Sequence, residues 1–140
     1  MNKFLCFGLV LLTCACQSYT TGLQQSVARA DETAATTALH AVAIAQQTYA
    51  VSNGGNYGTF TQLFAGSYLD ERFNSEKPTI KDYLLTMEVG SGSDGPYYRC
   101  NADPVRSGLQ GRHFYMDSTS TALHVNNTQT ASKDDPLTQP

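Results

Sequence analysis

Cysteine is the residue with the most chemistry to offer in this 140-residue chain, and its four copies are unevenly placed. Cys6, Cys14 and Cys16 crowd the N-terminus, while Cys100 stands alone in the run Tyr97-Tyr98-Arg99-Cys100-Asn101. A thiol can act as a nucleophile, a metal ligand or half of a disulfide, and beside a cleavage region it can be acylated. The surroundings of the first three favour acylation. Met1-Asn2-Lys3 carries one positive charge, and Phe4 to Leu12 is apolar. That stretch has the length of a secretory leader's apolar region and falls short of the roughly 20 residues a spanning helix needs. Small residues before a cysteine give the cleavage region its lipoprotein form. Cys16 is the expected lipidation site, because Ala15 before it is small and Gln17 begins the polar chain. Cys14 is the rival: Leu11 lies three residues upstream, but Thr13 is a poorer residue to cleave after. The plainer alternative is an ordinary cleaved signal peptide with incidental cysteines. Several acyl chains on one cysteine exceed the two-signal requirement for stable anchoring. With Cys6 and Cys14 removed and Cys16 acylated, Cys100 has no intramolecular partner, even in an oxidising compartment. It is expected as a half-buried strand residue and not as a nucleophile.

Little else in the chain is arranged for catalysis. The three histidines, His40, His113 and His124, have no ligand partners at zinc-binding spacing, and each is expected as a polar residue at a helix–sheet boundary. No serine sits in a Gly-x-Ser-x-Gly elbow. Asp117-Ser118-Thr119-Ser120 could offer carboxylate, hydroxyl and carbonyl oxygens to calcium, but it lacks the alternating Asp/Asn string of calcium loops. Asn126-Asn127-Thr128 fits a glycosylation sequon, read as coincidence. Gly54-Gly55-Asn56-Tyr57-Gly58 has neither the Lys-Ser/Thr nor the preceding strand of a phosphate loop. The expectation is therefore no catalytic residue, no cofactor, no metal and no evident small-molecule substrate. Net charge is −3; without Lys3, 8 basic residues against 12 acidic ones give −4. The basic residues are scattered, with no patch that could track phosphates, so nucleic acid is excluded as a partner.

The elements that would carry any function follow from periodicity. Residues 1–15 read as the signal peptide, 16–25 as a lipid-anchored polar tether, 26–130 as one domain and 131–140 as a polar C-terminal tail. From about Ser26 to Val51 the chain is alanine-rich and free of Gly and Pro. Ala35, Ala38, Leu39, Val42, Gln46 and Tyr49 form one stripe at helical spacing. Asp31 and Glu32 fall near the expected helix start, where the macrodipole favours them, and Asn53-Gly54-Gly55 ends the helix. Thr59 caps a second short helix with Phe60, Leu63 and Phe64 on its apolar face, and Gly66 stops it. After Pro78 the period changes to two. Tyr83, Leu85, Met87 and Val89 share one face of a strand, and Gly90 to Pro96 reads as a flexible turn. Strands follow at Tyr97–Ala102, His113–Asp117 and Ala122–Val125. The expected fold class is α+β: a long N-terminal helix packed on an antiparallel sheet of three to four strands. Tyr97, Tyr98 and Tyr115 are the candidate contact aromatics, although alternation alone does not say which face solvent, and core packing is the favoured reading for each.

Several phrases, in this order, resemble type IV pilin-like globular domains, closest to the short pseudopilin-like proteins of Gram-negative bacteria. They are Ala41 to Tyr49 on the helix, Gly54-Gly55-Asn56-Tyr57-Gly58-Thr59, Asn101-Ala102-Asp103-Pro104, Gly111 to Asp117, and Thr130 to Leu137. The resemblance spans roughly residues 28–137. It implies a pilin-like fold and a role in secretion or pilus assembly. Pilins open with a peptidase site and a hydrophobic helix bearing a glutamate; here Phe7-Gly8-Leu9 lies inside the leader with no acidic residue after it. The expectation is a non-enzymatic, membrane-anchored lipoprotein of the bacterial cell envelope, contacting the membrane through its lipid and other envelope proteins through its domain. An atypical type II secretion pseudopilin or minor pilin, and a small secreted ligand-binding protein, are the alternatives.

Overall fold

The computed structural model describes residues 14–106 and 111–138, with side chains from residue 20 onward. The expected leader therefore lies outside the described residues, except for the backbone of its last two. Helix α1 runs Cys14–Ser52 and α2 Phe60–Ala65, followed by a 3₁₀ turn at Glu71–Phe73. Five strands come next: β1 Thr79–Ile80, β2 Tyr83–Gly92, β3 Gly95–Pro104, β4 His113–Asp117 and β5 Ser120–Asn126. They form one antiparallel meander in sequence order. The α+β class holds. The sheet, however, has five strands where three to four were expected.

The extra strand is β1, and its sequence signal is weak for a local reason. Ile80 pairs with Tyr83 across a two-residue link, Lys81-Asp82. Lys81 takes a φ of 55°, a left-handed conformation usually supplied by Gly or Asn at such a turn. The β2–β3 turn is also tighter than expected. Both strands continue to a Gly92–Gly95 pair, leaving only Ser93-Asp94 as loop, with Gly95 at a φ of 110°.

Among the described residues helix α1 already runs from Cys14, ahead of Ser26, so the expected tether at 16–25 is helical. Once the alanine-rich stretch is helical, each added residue extends it without a new nucleation cost, and polar side chains are no bar in solvent. The longer helix also removes the macrodipole explanation for Asp31 and Glu32, which now lie mid-helix. At the other end Gly55 N–H donates to the Ala50 carbonyl at 2.9 Å, with Gly54 and Gly55 at φ of 64° and 85°. Thr59 caps α2 through a reciprocal box with Gln62, as its position before Phe60 implied.

The core lies between α1 and one face of the sheet. Ala35, Leu39 and Val42 meet Leu85, Ala102 and Phe114, all with 0% exposure. Paired residues of neighbouring strands share a face, so Leu85, Ala102, Phe114 and Val125 form one row across the sheet. Alanines on α1 let the helix backbone approach this row closely. Phe60, Leu63 and Phe73 close the end of the core, with the Phe60 and Phe73 rings stacked at 6.0 Å.

Candidate functional site

Two polar clamps hold α1 to the sheet and its loops. Glu32, 9% exposed, accepts the Arg112 backbone N–H at 3.0 Å and the guanidinium Nε and Nη2 at 3.1 and 2.9 Å. Those bonds raise the Arg112 pKa above its ordinary value. The Arg112 carbonyl in turn accepts the Tyr83 hydroxyl at 2.9 Å. Burial first, and then the nearby Glu32 charge, pushes the Tyr83 phenol well up. The second clamp is Gln46, which is fully buried. Its Nε2 donates to the Gly58 carbonyl at 2.6 Å, and its Oε1 accepts the Gly58 N–H at 2.9 Å. Gln46 thus pairs with a loop as another peptide group would. Neither clamp was foreseen. By spacing alone Gln46 belongs to the helix stripe, and Glu32 and Arg112 lie far apart in sequence.

The outer face of the sheet carries the polar alternates. Tyr97 lies over Gly90, where an added Cβ would come within 2.8 Å of the ring. The Tyr97 hydroxyl donates to Glu88 Oε1 at 2.7 Å, a bond that raises its pKa. Arg99 sits 4.9 Å from the Tyr97 ring centre and 3.6 Å from Glu88 Oε2. Thr86, Met87, Glu88, Arg99, Asn101 and Tyr115 line a shallow, open depression beside this cluster. Of the three candidate aromatics, only Tyr97 is half-exposed here. Tyr98 is buried on the core face, edge-on to Tyr57 at 4.9 Å, and burial pushes its pKa up to about 12. Tyr115 is on the outer face yet only 6% exposed.

Tyr115 is covered because the C-terminal segment folds back over β5. The expected polar tail at 131–140 is part of the fold as far as it is described. Val125 N–H donates to the Pro136 carbonyl at 2.8 Å, and Thr138 N–H to the Leu123 carbonyl at 2.7 Å. Ala131 is buried, and its carbonyl accepts Asn101 Nδ2 at 2.7 Å. Asp135 organises the strap by accepting the Ser132 N–H at 2.7 Å and Asn126 Nδ2 at 2.8 Å.

The other residues singled out by type fall into structural places. Cys100 is fully buried in the core, not half-buried as expected, and burial pushes its thiol pKa well up. Such a thiol is a poor nucleophile at neutral pH. The histidines do not sit at a helix–sheet boundary. His40 is exposed on the solvent side of α1, because the sheet covers the opposite side. His113 Nδ1 meets Asp103 Oδ1 at 2.6 Å on the outer sheet face. His124 Nδ1 lies 2.6 Å from the Asp135 carbonyl; a carbonyl only accepts, so this nitrogen carries the proton. In the Asp117 loop, Oδ1 accepts the Thr119 N–H at 2.8 Å and Oδ2 accepts the Tyr115 hydroxyl at 2.9 Å. The Asp117 pKa is lowered: burial works to raise it, but the Thr119 and Tyr115 bonds outweigh that. Among the described residues, no three His, Cys, Asp or Glu side chains stand together as metal ligands. Asn126 of the sequon accepts the Thr128 and Gln129 N–H groups in a turn of its own. The side chains of Cys14 and Cys16 lie outside what is described.

The arrangement offers two exposed surfaces, the Tyr97–Glu88–Arg99 cluster and the solvent side of α1. No family model, curated protein or solved structure matches the chain.

Proposed function

We propose that this chain is a non-enzymatic envelope lipoprotein, anchored to a membrane through acylated Cys16 and acting through protein contacts. The carrying observation is the course of α1. It is continuous from Cys14 into the domain, and residues 20–27 are exposed throughout. A stiff stalk of this kind would hold the domain away from the surface to which the lipid binds. No described helix is long and apolar enough to cross a membrane. The long helix lying across an antiparallel meander also supports a pilin-like domain, with secretion or pilus assembly as its setting.

The test is mass spectrometry of the mature N-terminus after metabolic labelling with a fatty acid. Lipid on Cys16 is the expected result, and Cys16→Ser should release the protein from membranes. An N-methylated residue without lipid would sink the proposal and favour an atypical pseudopilin subunit.

A further inference from the structure

Among the described residues six large hydrophobic side chains are exposed, and four of them lie on α1: Leu23 at 52%, Val27 at 54%, Ile44 at 65% and Val51 at 87%. Their spacing is not random. Leu23, Ala30, Thr37, Ile44 and Val51 recur every seven residues. Val27, Ala34, Ala41 and Thr48 form a second series, four residues after or three before members of the first; Val27 and Thr48 are exposed, whereas Ala34 and Ala41 are half-buried against the core and form the inner flank of the seam. This is the alternating three-and-four spacing of a coiled-coil seam, kept through the described helix. At 100° per residue the first series lies opposite the buried side, which carries Ala35, Leu39, Val42 and Gln46. The sheet therefore does not obstruct it.

The same side of the helix carries no charge. The charged residues of α1 are Arg29, Asp31 and Glu32, and none belongs to either series. The neighbouring exposed positions are Ser26, Thr33, His40 and Gln47. The solvent side of a helix that meets only water ordinarily carries charge, whereas the centre of a protein interface is depleted of it.

We infer that the solvent side of α1 pairs, in parallel, with the same side of a second copy of this chain. Three arguments select that occupant. In a parallel pair, each seam residue meets its own counterpart, and an uncharged face brings no like charges together. The proposed anchor, on which this inference rests, places both N-termini at one membrane surface, so two stalks stand side by side in the same direction. The contact from Thr20 to Val51 is about 45 Å long and one helix wide, burying about 1,000 Å² in total, near the lower limit for specific association. Association of this size is weak between free molecules and is strengthened by confinement to a surface.

The test is disulfide trapping in the full-length chain in its own membranes, with Ile44→Cys and Arg29→Cys compared under mild oxidation. Both sites are exposed, so neither change disturbs the fold, and the wild-type chain sets the background. In the parallel pair the thiols introduced at position 44 face each other, and dimer yield should exceed that of Arg29→Cys at least about tenfold. Adding Val51→Glu to Ile44→Cys puts like charges into the seam and should cut the yield about tenfold. Equal yields at the two positions, or no response to Val51→Glu, would overturn the pairing. Membrane fractionation of the same samples reads the anchor separately: membrane-bound protein with equal yields rejects the pair and keeps the tether, whereas protein found off the membrane rejects the tether, and trapping of the purified chain then decides the pair.

Discussion

Under α1 the sheet buries Leu85, Cys100, Ala102, Phe114 and Met116 without exception, all at 0% exposure. On the opposite face only Tyr115 is comparably buried, and its cover is a strap held by Asn101, Asn126 and Asp135. The first face is closed mainly by apolar area, which is insensitive to pH, with the Glu32–Arg112 and Gln46–Gly58 clamps beside it. The second is closed by hydrogen bonds to a few polar hubs, one of them a carboxylate. One face therefore sets the global stability of the domain, and the other sets the behaviour of its C-terminus.

The largest effect should come from the apolar face. Phe114→Ala removes a fully buried ring that lies 6.0 Å from Tyr83. The expected loss is about 3–5 kcal/mol, a large share of the total for a domain of this size, measured by urea unfolding. A loss below about 1 kcal/mol would mean that the core face is less tightly packed than its burial indicates.

Gln46→Leu keeps the volume on α1 but leaves the Gly58 N–H and carbonyl without partners. Each orphaned buried group costs about 1–3 kcal/mol, so the change should destabilise by about 2–4 kcal/mol. Gln46→Glu sharpens the test, because a carboxylate can accept the Gly58 N–H but has no donor for the carbonyl. A Glu variant as stable as the parent would mean that its buried carboxyl is protonated and donates to the Gly58 carbonyl in place of the amide.

These contrasts track what the sequence made legible. The core face was readable because burial imposes a period: two on β2 at Tyr83, Leu85, Met87 and Val89, and three-to-four on α1 at Ala35 through Tyr49. The Thr59 cap was readable because a threonine just before an apolar run marks a helix start, whereas its return bond from Gln62 was not part of that reading. The Glu32–Arg112 clamp, the Gln46–Gly58 pair and the strap were not readable, since each joins side chains to distant backbone and leaves no period behind. Strand β1 was hidden by Lys81 in a conformation that its residue type does not announce. Of the proposed site, Cys16 rests on a local sequence pattern alone. The uncharged side of α1 emerged only when exposure separated the solvent side of the helix from its buried side.

On the outer face the effects should be smaller and local. Asn101→Ala removes the donor to the Ala131 carbonyl and should cost about 1 kcal/mol. Its clearest sign is faster proteolysis after residue 130, with the melting temperature of the domain nearly unchanged. If the melting temperature fell as far as in Phe114→Ala, the strap would belong to the same cooperative unit as the core.

The smallest global effect, and the one most specific to the strap, is its response to acid. The Asp135 carboxyl is held below its ordinary value of 3.8, first by the Ser132 N–H and then by the Asn126 amide. A depressed folded pKa means that the carboxylate's contribution is complete above the ordinary value and is lost as pH falls through the folded one. Acidification should therefore loosen the strap, where the Asp135 carboxylate is a hub, before the core face, whose buried sheet contacts are apolar and whose one carboxylate, Glu32, is paired with Arg112. Amide exchange reads the two separately. Protection of Thr138 and Val125, whose N–H groups bind across the strap, should fall in acid before that of Leu85. Asp135→Asn should weaken the strap already at neutral pH and remove most of its acid dependence, because an amide oxygen replaces only one of the two carboxylate acceptors. If the strap in Asp135→Asn still opened at the same acidic pH as the parent, the titrating group would be Asp117, whose pKa is also lowered and which holds Tyr115 from the opposite side of the depression.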